Sequence, residues 1–173
     1  SKDKEASVWV KNLQIAMDFS FSDSLEAEVV LEAEDAEHST SIIDEAVVSW
    51  DVTEDIGISF GVMAPSFGEY YSHFVVGPML EFGETRGSIF SVDYSLNDNL
   101  EIGAFWLDSV INTNGKQDKF DWGSFIEWQS DDESIRLGAS YLSDVAESDE
   151  KLLEDYENQY PVKVDAFSAY MLL

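Results

Sequence analysis

Along most of this chain apolar and polar side chains alternate one for one, in stretches of about ten residues separated by short runs rich in Ser, Asp and Asn. A strand turns successive side chains to opposite faces, so alternation of this length places one face in an apolar medium and the other in a polar one. From about Val8 to Phe21, the residues Leu13, Ile15, Met17, Phe19 and Phe21 share one face, and Asn12, Gln14, Asp18 and Ser20 the other. From Leu25 to Glu34, the residues Leu25, Ala27, Val29, Leu31 and Ala33 oppose Glu26, Glu28, Glu32 and Glu34. Four carboxylates on one strand face cannot be buried unpaired, so that face must see water.

The same reading continues down the chain. Strands are expected at about Ile42 to Val52, with Glu45 on the polar side, and at Ile56 to Met63, where Gly57, Ser59 and Gly61 form a small-residue face that something approaches closely. Further strands follow at Ser88 to Leu96, Leu100 to Leu107, Phe120 to Gln129, Ile135 to Leu142 and Val162 to Leu173. Pro65 interrupts the pattern, and the stretch to Gly87 reads as a long irregular loop of the kind that carries function. Connections at Asn97 to Asn99 and Ser130 to Ser134 are tight, whereas Asp108 to Lys119 and Ser143 to Pro161 are long. Tight turns at one rim and long loops at the other characterise spanning barrels.

Composition narrows the classes. An apolar fraction of 45% beside 26% charged residues excludes a disordered chain and a helical membrane protein. No run approaches the ~18 apolar residues of a spanning helix. Ser1 to Ala6 is charged and lacks the apolar stretch of a signal peptide, so the chain is expected to be mature, trimmed or a fragment. Cysteine is absent, which leaves the redox compartment open. The formal charge of −27 repels phosphates, which argues against nucleic-acid partners, and favours cations and cationic complexes. Solubility in a saline medium accounts for the same charge.

The pattern predicts an all-β fold, an antiparallel up-and-down transmembrane β-barrel with about 8–10 strands in this chain and belonging to a larger barrel. Residues 1–173 are expected to form a single β-barrel domain, in which the irregular 65–87 loop could fold into the lumen. Trp9, Trp50, Trp106, Trp122, Trp128, Tyr141 and Tyr170, near strand ends or on apolar faces, would mark the membrane interfaces. The competing architecture is a soluble secreted or periplasmic acidic β-sandwich or calyx that binds a ligand, with its apolar faces turned inward to a core.

Chemistry-bearing motifs are sparse. His38 and His73 have no second histidine at ligand spacing, and Asp144 to Glu157 lacks the ordering of a calcium loop, so no metal or cofactor is expected. No P-loop or H-E-x-x-H pattern occurs, and no enzyme is expected. Among so many carboxylates no glycosidase-like pair stands out.

Three segments carry a resemblance. Asp44-Glu45-Ala46 opens a strand, Pro65-Ser66-Phe67-Gly68 follows, and then Gly77-Pro78-Met79-Leu80-Glu81-Phe82-Gly83-Glu84-Thr85-Arg86. This order is similar to the D-E-A strand, V-P-F-G-x-F turn and D-P-L-T-L-E-L-G-E-T-R run of the LbtU family of siderophore porins. Gly138 to Asp149 also resembles that family's later G-x-x-Y-x-x-x-I-A-D-S-D segment. The turn here reads APSFG, Gly77 stands where the family has Asp, and basic residues are few. The resemblance implies a plug-less porin of the bacterial outer membrane, taking part in iron uptake by passing a small-molecule solute, a ferric siderophore. Its partners would be that solute and outer-membrane lipid, and a homo-oligomer by analogy with porins.

On this reading Phe67, Gly68, Pro78, Glu81, Glu84 and Arg86 belong to a pore or constriction loop, with Tyr70, Tyr71 and Phe82 as aromatic neighbours. Arg86, once inside the lumen, would pair with a carboxylate and pin the loop, because a buried guanidinium needs a partner. Glu26, Glu28, Glu32, Glu34 and Glu45 would face the lumen and give it a cation-favouring field. Plain solvation of a polar face is the alternative for these glutamates.

Overall fold

The computed structural model describes residues 12–34, 42–68, 87–108, 112–113, 116–117, 120–144, 159–160 and 165–173. Twelve strands occur among them: β1 (Asn12–Ser22), β2 (Leu25–Glu34), β3 (Ile42–Asp51), β4 (Ile56–Met63), β5 (Gly87–Asn97), β6 (Leu100–Asp108), β7 (Asn112–Thr113), β8 (Lys116–Gln117), β9 (Phe120–Gln129), β10 (Arg136–Leu142), β11 (Gln159–Tyr160) and β12 (Ala166–Leu172). There is no helix among the described residues. Nine strands make one sheet in the order β1-β2-β3-β4-β5-β6-β9-β10-β12, and every neighbouring pair is antiparallel. The short strands β7, β8 and β11 form a separate three-stranded sheet.

The fold is thus all-β with up-and-down order, as the alternation predicts, and the strand ends fall within a few residues of those expected. The first strand begins at Asn12 and the last at Ala166, and Val8 to Lys11 and Val162 to Val164 lie outside the described residues. Closure is where expectation and structure part. Among the described residues β1 pairs only with β2 and β12 only with β10, so the sheet is open.

Connections sort by rim. The turns at 23–24, 52–55, 98–99 and 130–135 lie at one end of the sheet, and the strand ends at Glu34 and Ile42, Met63 and Gly87, Asp108 and Phe120, and Leu142 and Ala166 at the other. Local chemistry sets the tight turns. Thr53 Oγ1 accepts from the N–H groups of Asp55 (3.2 Å) and Ile56 (3.1 Å), and Asn97 Oδ1 accepts from the N–H of Asn99 (2.9 Å). Such side-chain caps satisfy the backbone donors that a reversal leaves free.

The close approach expected at the small-residue face of β4 comes from the neighbouring strand. Gly61 sits at φ 145°, and a Cβ there would run into the backbone of Ala46 and Val47 on β3. Only glycine adopts that conformation at little cost. Elsewhere aromatic rings lie over glycines directly across the sheet: Phe105 over Gly123, Phe125 over Gly103 and Tyr170 over Gly138. All three rings and all three glycines occupy the same face, and this pairing lets a bulky side chain lie flat on a curved sheet.

Candidate functional site

The register gathers an apolar set from every strand of this sheet on one face. Phe19, Ala27, Val48, Phe60, Phe90, Trp106 and Trp122 follow one another as direct cross-strand partners or near neighbours from β1 to β9. This face is exposed along its whole width: Ile15 is 50% accessible, Phe60 52%, Ile126 47% and Phe167 79%. Nine strands at a spacing of ~4.8 Å span about 43 Å, so a band about 25 Å tall would cover roughly 1,000 Å². Monomeric soluble proteins rarely expose apolar patches beyond about 300–600 Å².

The band is edged with aromatic rings. Toward the long-loop rim, Phe60, Phe90, Trp106, Trp122, Tyr141 and Phe167 form a row from β4 to β12. Ring centroids are 5.8 Å apart for Phe90–Trp106, 4.9 Å for Trp122–Tyr141 and 5.1 Å for Tyr141–Phe167. Trp50, Tyr94 and Trp128 sit toward the tight-turn rim, Trp50 on a register level with Ile58, Val92 and Ala104, and Tyr94 on the next with Ile102, Ile126 and Ala139. Tyr170 departs from the expected interface role. It faces the opposite side of the sheet, where its hydroxyl donates to Glu127 Oε2. Trp9 lies outside the described residues.

The other face is concave, as one hydrogen bond demonstrates. The Gly68 N–H donates to Ser140 Oγ on β10 at 2.9 Å. From Met63 at the end of β4, five residues reach at most about 18 Å. Four strand spacings along a flat sheet would be about 19 Å, and the register sets Ser140 level with Gly57, about 20 Å down β4 from Met63. The flat path of about 28 Å exceeds the reach of the chain even with the hydrogen bond and serine side chain added, so the sheet curls toward this face. The segment 64–68 therefore crosses the hollow of the curve. Phe67 anchors it, 6% exposed, in a cluster with Ile89, Phe105, Leu107 and Leu142.

Below this crossing lies a polar cleft of about 350 Å³, bounded by Pro65, Ser66 and Gly68 and by Asp93, Glu101, Glu127 and Tyr170. Glu101 and Glu127 are direct cross-strand partners, a like-charge pairing that disfavours the sheet by itself. Two groups offset it at Glu127: the Tyr170 hydroxyl and Arg136, whose Nε lies 3.5 Å from Glu127 Oε1. Asp93 is held by Ser91, whose Oγ donates at 2.8 Å. A second cleft, of about 340 Å³, lies on the other side of the crossing and is bounded by Asp18, Glu26, Glu28, Glu45, Ser49 and Met63.

Sequence-expected site residues divide as follows. Phe67 and Gly68 fold inward, and Glu26, Glu28, Glu32 and Glu45 occupy the concave face by register. The Glu34 side chain, Pro78, Glu81, Glu84 and Arg86 lie outside the described residues, as do Tyr70, Tyr71, Phe82, His38 and His73. The described end of the loop is pinned by an apolar anchor, Phe67, and a backbone hydrogen bond from Gly68. Sequence reasoning misses Asp93, Glu101, Glu127, Arg136 and Ser140, and reads Tyr170 only as an interface aromatic. Each stands at a polar-parity position of its strand, but only the register brings them together. Among the described residues no group of three or more His, Asp or Glu is arranged to hold a metal ion.

Comparison with protein-family models, curated proteins and solved structures finds no match for this chain.

Proposed function

We propose that this chain forms wall and lumen of a bacterial outer-membrane β-barrel channel that passes a small solute and favours cations. The observation that carries the reading is the apolar face: unbroken across nine strands, exposed, and edged by aromatic rows, it suits acyl chains bordered by two interfaces. Backbone groups in lipid must be satisfied within the protein, and antiparallel strands do so. The concave face supplies the other requirement, a wet interior lined by carboxylates.

The motif resemblance to LbtU siderophore porins extends the proposal to a ferric siderophore as solute and to a role in iron uptake. A soluble sandwich or calyx needs its apolar face covered, and among the described residues nothing covers that face. The test is reconstitution. Insertion into planar bilayers with discrete, cation-selective conductance supports the reading. A monodisperse protein in detergent-free buffer that yields no conductance refutes it.

A further inference from the structure

The interior is not symmetric about the 64–68 crossing. On the β5 to β12 side the long-loop half is filled: Phe105 and Leu142 are fully buried, Leu107 is 2% exposed, and Ser91 and Ser140 are buried with them. On the β1 to β3 side the inner face is more open: Ala16, Asp18, Ser20, Glu26, Glu28 and Ser49 are exposed, Val30, Glu32, Glu45 and Val47 are half-buried, and Asp44, at the β3 bulge, is buried. Met63 and Ala64 edge the cleft on the exposed side, while Pro65, Ser66 and Gly68 cap the cleft on the filled side. That capped cleft continues in one direction. Glu101 and Glu127 also line a third cleft, together with Glu54, Asp55, Asn97 and Asn99 of the tight turns.

Resting on the channel reading, we propose that the crossing is a partition: solute travels along the inner faces of β1 to β4, and the Asp93–Glu101–Glu127 cleft is a blind chamber open to the tight-turn rim alone. Steric closure carries the assignment. A fully packed cluster admits no water-sized particle, so nothing passes the Phe67 seat without unseating it. Release of the Gly68–Ser140 hydrogen bond and of a buried phenylalanine would be needed to open that side. Among the described residues the β1 to β4 side asks for no such rearrangement. The carboxylates of Asp18, Glu26 and Glu28 then act on the passing solute, whereas Glu101 and Glu127 set a local potential beside the route.

The chain has no cysteine, so single thiols can be placed without altering a background. Asp18→Cys, Glu28→Cys and Glu101→Cys proteins are inserted into planar bilayers with known orientation, and a charged methanethiosulfonate reagent is added to one side at a time. At positions 18 and 28 the expected result is reaction from both sides with a stepwise loss of conductance. At 101 it is reaction from the tight-turn side alone, with conductance retained. Block from position 101 equal to that from 28, or reaction at 101 from both sides, overturns the partition while leaving a channel. Absence of any channel from the unsubstituted full-length protein, with both sheet edges paired, overturns the channel reading and the route with it. Maleimide labelling of each folded variant, followed by mass, separates an unreactive thiol from a misfolded chain.

Discussion

Two consecutive residues of β2 provide the sharpest test of which face meets lipid. The strand holds ten residues, Leu25–Glu34, and is paired on both sides, so neither edge effects nor fraying enter. Ten residues at ~3.4 Å span about 34 Å, and a tilt of about 40° brings this to roughly 26 Å along the normal, close to the ~25 Å apolar band of such barrels. Val29 lies on the apolar face near the middle, and Glu28 on the concave face one residue away. Arginine at the midplane of a lipid face costs about 2–4 kcal/mol and falls to about 0–1 kcal/mol near an interface. Val29→Arg is therefore expected to lose about 2–4 kcal/mol, and Ala33→Arg, near the strand end on the same face, at most about 1 kcal/mol. Glu28→Arg faces water among carboxylates and is expected to stay within about 0.5 kcal/mol of the parent. The assay is reversible guanidinium unfolding from phospholipid vesicles. Equal values for Val29→Arg and Glu28→Arg would refute a lipid-facing outer surface. A cost at Ala33 as large as at Val29 would point to a protein cover, since protein burial has no membrane depth.

Phe67→Ala removes the anchor of the crossing and is expected to cost about 3–5 kcal/mol, as for a buried aromatic, read from the same unfolding titration; a loss below about 1 kcal/mol would mean the segment is not seated. Arg136→Gln leaves Glu101 and Glu127 facing each other with less relief. Both members of the Arg136–Glu127 pair are about a third exposed, so the loss is discounted to at most about 1 kcal/mol, and it should shrink further from 0.05 to 0.5 M salt on the order of the Debye screening change. At the 130–135 turn, hydrogen bonds from Ser130 Oγ (2.7 Å) and from Ser134 Oγ (2.8 Å) and N–H (3.3 Å) hold the Asp132 carboxyl below the usual carboxylate range. A depressed folded value means that the contribution is complete above the unfolded pKa of ~3.9 and is lost as pH falls through the folded one. Asp132→Asn should flatten that acid limb in thermal unfolding between about pH 5 and about pH 2, and an unchanged limb would dismiss the turn as its source.

Strand positions were legible because alternation has a period that any buried or lipid-exposed face must obey. Leu25–Glu34 and Ile56–Met63 appear with the bounds the pattern predicts. The inward placement of Glu26, Glu28, Glu32 and Glu45 followed from the same parity. What parity cannot supply is register and curvature. Glu101 and Glu127 lie 26 positions apart and meet because the β6–β9 pairing sets Leu100 opposite Trp128. Tyr170 looked like an interface aromatic because tyrosine suits that role, yet its place opposite Gly138 turns it inward. Ser140, a plain polar residue in sequence, gained its role from a partner 72 positions away. The small residues of β4 did announce a close approach, but a one-dimensional pattern does not distinguish an inserted loop from a neighbouring backbone.

The open edges bear on how such a sheet could serve in a membrane. Nine strands in strict antiparallel order leave β1 and β12 running in the same direction, so these two edges would meet only as a parallel pair. In lipid each unpaired backbone group costs at least about 1 kcal/mol. An edge such as the eleven-residue β1 turns about half its N–H and C=O groups outward, so two open edges forfeit roughly 10–20 kcal/mol, more than the whole stability of a typical domain. On the membrane reading the edges must therefore be paired. Antiparallel completion takes an odd number of further strands between β12 and β1, which brings the total to the even number of single-chain bacterial barrels. A second copy related by a twofold axis along the membrane normal does not meet this condition, because its β1 would again lie parallel to β12. An axis in the membrane plane would restore antiparallel pairing but place the long loops of the two copies on opposite sides. The direction of two edge strands thus favours completion by strands of odd count over closure by self-association.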